Sequence, residues 1–188
     1  MPQLRLSATP RPTTLRPDPT FRMDLDSALN DKPAEGATAT EMLRADHRQM
    51  KQLFAEFSKD KGEPLVRKVA ARAVCMQIEL HDTLERKVFY PAFRERERQM
   101  IDWFLHEHDE VMRIVLDIRD REEWNDECDA AMARLSTLVE RHAREEEDEL
   151  FPIVDRMGET WLRDLGIAIV KQKEALTRST KALEGPAT

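Results

Sequence analysis

The stretch HDTLERKVFYP, residues 81–91, reads as the end of a helix: a histidine, a glutamate one turn later, and a proline that predicts a stop. HAREEEDELFP, residues 142–152, repeats that skeleton in a chain with only 5 histidines. The repeat extends into the preceding helix of each stretch. His47 lies 34 residues before His81, and His108 lies 34 before His142. Adding 61 to 47, 81, 85 and 91 gives 108, 142, 146 and 152, which are again His, His, Glu and Pro. His106 alone has no counterpart, because Ala45 occupies the equivalent position.

Helical periodicity surrounds each of these positions. Thr38 and Glu41 have capping-box spacing ahead of a stripe of Leu43, His47, Met50, Phe54 and Phe57, a helix expected to end near Gly62. Pro64 suits a first helical turn, and Val66, Ala70, Val74, Ile78, His81, Glu85 and Val88 share the next stripe. Ile101, Phe104, His108, Val111, Val115 and Ile118 mark a third helix; Ala131, Leu135, Leu138, His142 and Glu146 mark a fourth. Beyond Gly158 a fifth helical stretch, ETWLRDLGIAIVKQKEAL, carries no histidine. No stretch reads as a strand. The expected fold is all-α: an up-down-up-down four-helix bundle over residues 39–155, with an extra C-terminal helix in 156–188 that caps or flanks it. Residues 1–38 are Pro-rich and aperiodic and predict a disordered arm.

Composition narrows the function. The net charge is −7 with both signs interspersed, so no basic stripe exists to follow a phosphate backbone, and no nucleic-acid partner is expected. Neither a long apolar run nor a leader-like N-terminus is present, which predicts a soluble, cytoplasmic chain without a membrane partner. Cys75 and Cys128 form no CxxC and read as small buried thiols of a reduced protein. Trp103 and Trp161 read as packing residues, as do most of the methionines.

A histidine and a glutamate four apart lie about 40° apart around a helix, so both can reach one point in a bundle core. Two such pairs place two carboxylates among Leu, Val, Phe and Ile, where an isolated ionised carboxylate costs several kcal/mol and must be paired or neutralised. A cation does this. Imidazole with carboxylate suits Fe, Mn or Zn, and two carboxylates shared between two ions give a dinuclear centre. The candidate metal ligands are His47, His81, Glu85, His108, His142 and Glu146. Within Glu145-Glu146-Glu147 the repeat selects Glu146, and Glu147 is the fallback. His106 reads as a surface or supporting residue. Taken singly, a histidine on an apolar stripe can be a hydrogen-bonded core residue, and a buried glutamate can pair with Arg86 or Arg144.

Together, ADHRQMKQLF, HDTLERKVFYP, EHDEVMRIV and HAREEEDELFP resemble the hemerythrin-like, or HHE cation-binding, domain, in its symmetric H-HxxxE-H-HxxxE form. The resemblance covers about residues 39–155. It implies two non-haem irons, His47 and His81 on one, His108 and His142 on the other, with Glu85, Glu146 and an oxo or hydroxo group bridging; Mn or Zn are substitutes. Oxygen-carrying hemerythrins offer HxxxH on the third helix, whereas here the residues four before and four after His108 are Phe104 and Met112. Open positions on both irons follow, which favours chemistry on a small oxidant such as peroxide, O2 or NO over reversible O2 carriage. The catalytic groups are then the open metal positions themselves. Tyr90 is one of few candidates for a proton donor or radical.

Three functions stay open at this point. The first is a diiron oxidoreductase, catalase-like or reactive toward NO or O2. The second is an iron-, oxygen- or redox-sensing, or iron-handling, binding module without turnover. The third is a metal-free structural bundle in which His and Glu satisfy one another.

Overall fold

The computed structural model describes residues 36–59 and 62–184. Most of the expected arm therefore lies outside the described residues. The first helix, α1 (Ala39–Lys59), begins at a reciprocal cap: Glu41 N–H donates to Thr38 Oγ1 at 3.3 Å, and Thr38 N–H donates to Glu41 Oε2 at 2.8 Å. Pro64 opens α2 (Pro64–Leu84), where its missing N–H would have no helical acceptor. Helix α3 (Arg98–Asp120) follows. Helix α4 (Asp126–Glu145) is capped by Asn125, whose side chain accepts from Cys128 N–H at 3.1 Å. A short α5 (Phe151–Asp155) and a long α6 (Glu159–Glu184) complete the described chain. Among the described residues there is no strand.

Helix α1 packs against α2 and α4, and α3 packs against the same two, which closes a four-helix ring in chain order. Helix α6 lies across α1 and α2. At Gly166 a β-carbon would meet Ala37 O at 2.7 Å, so this crossing needs glycine. No described helix is long and apolar enough to cross a membrane.

The expected stripes are the buried faces. They build two apolar clusters with a polar layer between them. One holds Met50, Phe54, Val74, Ile78, Val111, Val115, Leu135 and Val139; the other holds Leu43, Leu84, Phe89, Tyr90, Phe104, Leu150 and Phe151. Along every bundle helix the histidine falls between a residue of one cluster and a residue of the other. Cys75 and Cys128 are buried and unpaired.

Two expectations need correction. Trp103 does not pack inside; it is 57 % exposed, one step off the stripe that buries Phe104, while Trp161 is partly buried against the second cluster. Pro91 and Pro152 do not mark simple stops either. After Leu84 the chain makes a π-helical turn, Glu85–Phe89, closed by Tyr90 N–H donating to Glu85 O, and continues as a 3-10 turn, Tyr90–Ala92. After Glu145 it makes an equivalent turn, Glu146–Leu150, closed by Phe151 N–H donating to Glu146 O, and α5 then runs through Pro152. Each proline sits where bonding leaves the five-residue register, so its lack of an N–H disrupts little.

Candidate metal centre

The polar layer brings together all six side chains selected by the repeat. His47 Nε2 lies 3.2 Å from His81 Nε2, and His108 Nε2 lies 2.8 Å from His142 Nε2. Glu85 Oε2 reaches into both pairs, 3.2 Å from His81 Nε2 and 3.1 Å from His108 Nε2. Glu146 Oε2 does the same, 3.5 Å from His47 Nε2 and 3.6 Å from His142 Nε2. Both glutamates are 0 % exposed, and the four histidines are buried. The donor atoms of His47, His81, Glu85 and Glu146 lie within 4.8 Å of one another, as do those of Glu85, His108 and His142.

This arrangement is not self-sufficient. Glu85 Oε1 and Glu146 Oε2 have no hydrogen-bond partner among the described residues, although both are buried. Neither Arg86 nor an outer arginine rescues them: Arg86 binds Asp82 and Asp109 instead, both at 2.7 Å, and Arg144 is exposed. An unpartnered buried carboxylate oxygen is expensive. Ligands held ~2.1 Å from one ion lie about 3.0 Å apart in an octahedron and about 3.4 Å apart in a tetrahedron. The separations above span those values, so the residues fit metal ions.

The model of the hemerythrin HHE cation-binding domain matches residues 38–154. The chain belongs to this family. No curated protein and no solved structure gives a match. Cation binding is the property this HHE domain carries with it, and among the described residues the buried His/Glu layer has the donors to do it.

The HHE layer is backed by a ring of carboxylates of which the sequence reading named only Glu147, and that as the fallback ligand. His108 Nδ1 lies 2.7 Å from Asp82 Oδ1, His142 Nδ1 3.1 Å from Glu107 Oε2, and His47 Nδ1 2.8 Å from Glu147 Oε1. Asp46 Oδ2 stands 3.8 Å from His81 Nδ1, too far for a hydrogen bond, and its other oxygen lies 3.8 Å from Lys173 Nζ of α6. A carboxylate that accepts a hydrogen bond from Nδ1–H fixes the tautomer and turns the Nε2 lone pair toward the layer. Glu147, the fallback ligand, is thus placed behind His47, while Glu146 points inward. Asp46 and Glu107 are related by the same 61-residue offset, a signal that was available in the sequence. Asp82 has no such signal, since its counterpart is Ala143.

Electrostatics reflect this excess of carboxylate. Burial lowers the pKa of His108, but the hydrogen bond to Asp82 and the contact with Glu85 outweigh it and hold the imidazole at about 9. Burial likewise works against protonation of His47 and His81, and their carboxylate neighbours prevail in both. Burial alone would raise Glu85; His81 and His108 hold it well below the usual carboxylate range. The HHE layer therefore calls for positive charge, supplied by protons or by metal.

Above the layer Met50, Ile78, Val111 and Val139 line a cavity of about 20 Å³ together with the four histidines. That is room for about one water-sized molecule. Outside it, a cleft of about 620 Å³ between α1 and α4 is lined by His47, Arg48, Lys51, Arg141, Arg144 and Glu147. His106 faces solvent, away from the centre.

Proposed function

We propose that the protein is a non-haem diiron protein that carries out redox chemistry on peroxide or a comparably small oxidant such as O2 or NO. The observation that carries this reading is the sharing of Glu85 and Glu146 between two histidine pairs beneath a small, apolar-walled cavity. His47 and His81 would hold one iron, His108 and His142 the other, and the two glutamates would span them; Mn or Zn could occupy the same donors. Two irons so held would supply redox equivalents and Lewis acidity to a molecule in the cavity. The chain's own residues do the rest. Asp82, Glu107 and Glu147 keep imidazole lone pairs aimed inward, and Met50, Ile78, Val111 and Val139 exclude bulk water and large substrates. The buried, unpaired cysteines suit a reducing, cytoplasmic setting.

Peroxide disproportionation, two H2O2 giving two H2O and one O2, tests the reading. Iron-loaded protein should release O2 from peroxide faster than iron-loaded Glu85→Ala/Glu146→Ala protein. Equal rates would reject it.

A sensing module without turnover is the second reading, and one observation favours it. Helix α6 touches α1, α2 and the π turn that begins at Glu85, and its Lys173 approaches Asp46 behind His81. A change of charge in the layer would then be felt on an outer helix. Hydrogen exchange of α6 that is the same in metal-free, diferrous and diferric protein would remove the basis for this reading.

A further inference from the structure

The 61-residue repeat is broken at a position that touches the metal layer. Tyr90, the one tyrosine of the chain, corresponds to Phe151. Both side chains follow a π turn of the same length and both are buried, at 1 % and 0 % exposure. Phe151 presents only a ring, stacked on His47 at 5.9 Å between centroids and 5° between planes. Tyr90 presents an oxygen. Its Oη lies 2.6 Å from Glu146 Oε1, 3.1 Å from His108 Nε2 and 3.3 Å from Glu85 Oε2.

The π turn is what puts that oxygen there. In an α-helix, residues five apart lie about 140° apart around the axis, so Tyr90 would face away from Glu85. Hydrogen bonding from residue 90 back to residue 85 stacks the two on one side instead.

The two donor sets are also unequal. His47, His81, Glu85 and Glu146 form a set of four, whereas Glu85, His108 and His142 form a set of three. Tyr90 Oη stands against two members of the smaller set, His108 and Glu85. Its separations from them are those of neighbouring ligands on one ion, about 3.0–3.4 Å.

We propose that Tyr90 is a metal ligand, its phenolate oxygen completing the Glu85–His108–His142 set and making the two metal positions inequivalent. The proposal rests on the metal-binding reading above. On ligation the O–H bond is replaced by an O–metal bond, and the proton leaves to solvent by way of Glu146 Oε1, its nearest acceptor. The position on His47 and His81, walled by the Phe151 ring, gains no equivalent donor, and because Glu146 also reaches His142 at 3.6 Å it becomes the more open of the two. Small oxidants would bind there, beside the cleft that reaches His47. A phenolate favours the ferric ion, so the two irons would also differ in potential.

The test is spectroscopic. Protein loaded with two irons and oxidised should show a visible phenolate-to-iron(III) charge-transfer band, and excitation in that band should enhance tyrosinate ring vibrations. Because the chain has a single tyrosine, such modes in the unmutated protein identify Tyr90 without any variant. Tyr90→Phe should lose the band yet retain close to two irons. Two bound irons with no tyrosinate modes in the unmutated protein would overturn the ligand assignment and leave Tyr90 a hydrogen-bond donor to Glu146. Failure to bind iron at all would overturn the metal-binding reading, and this proposal with it.

Discussion

Replacing Glu107 by Gln tests whether the carboxylate ring, and not only the six inner donors, makes the centre. Glu107 is 4 % exposed; Oε2 faces His142 Nδ1 at 3.1 Å, and Oε1 accepts from Arg141 Nη2 at 2.9 Å. Glutamine fills the same volume but has one acceptor where glutamate has two. If its oxygen faces His142, its NH2 confronts the Arg141 guanidinium, donor against donor. If it flips, His142 must accept at Nδ1, which moves the proton to Nε2 and closes the lone pair that faces the layer. Either way one partner is lost. Losing such a supporting partner lowers metal affinity by about 10–100-fold, or about 1.4–2.7 kcal/mol. Anaerobic Fe(II) titration against a competing chromophoric chelator measures this. Glu110→Gln, on the same helix but paired outward with Arg134 at 2.9 Å, serves as the control and should change nothing. Two irons bound by Glu107→Gln within twofold of the unmutated affinity would refute the reasoning.

The remaining predictions concern the layer and its scaffold. His108→Ala should retain about one iron, since it removes one of two imidazoles at that position, while exposed His106→Ala should retain two; equal metal content in the variants would show the repeat to be misread. In metal-free protein the raised pKa of His108, about 9 against ~6.5 when unfolded, contributes stability that is fully present below ~6.5 and is lost as pH rises through 9. The urea midpoint of the metal-free form should therefore fall between these values, and a flat or rising midpoint would contradict the assignment. Thr38→Ala removes one half of the α1 capping box and should cost about 1 kcal/mol, near 3 °C in melting temperature for a chain of this size. Amide exchange should quicken in the first turn of α1 alone.

How much of this was legible depended on whether a residue took part in a pattern. The stripes of Leu43 to Phe57 and Ile101 to Ile118 announced buried faces because helical burial is periodic, and the constant offset carried His47, His81, Glu85, His108, His142 and Glu146 to one layer. Composition alone does not separate Glu147 from Glu146; the repeat selected Glu146, and the turn of the backbone is what makes that residue face inward. Asp82 and Glu107 were invisible to the stripe because each precedes or follows a histidine by one position, where a helix points elsewhere; they meet imidazoles of neighbouring helices, which is a tertiary fact. The π turns were missed for a related reason. A tenfold spacing from His to Pro fits a helix that stops as well as one that changes its bonding register.

The π turns make the centre depend on chain length as well as on residue identity. Lys87 and Asp148, both exposed, can be exchanged freely as far as the layer is concerned, but deleting any one residue within 86–89 would let the helix relax to ordinary pitch. Everything after it would then turn by about 100° and shift by about 1.5 Å. Tyr90 would leave Glu146, and Phe93 would leave the Phe89 ring against which it packs at 4.6 Å. Shortened chains should keep their helical content and lose their place for metal. Among relatives of this protein, the segment between each HxxxE glutamate and the following proline should thus hold its length even where its exposed residues differ.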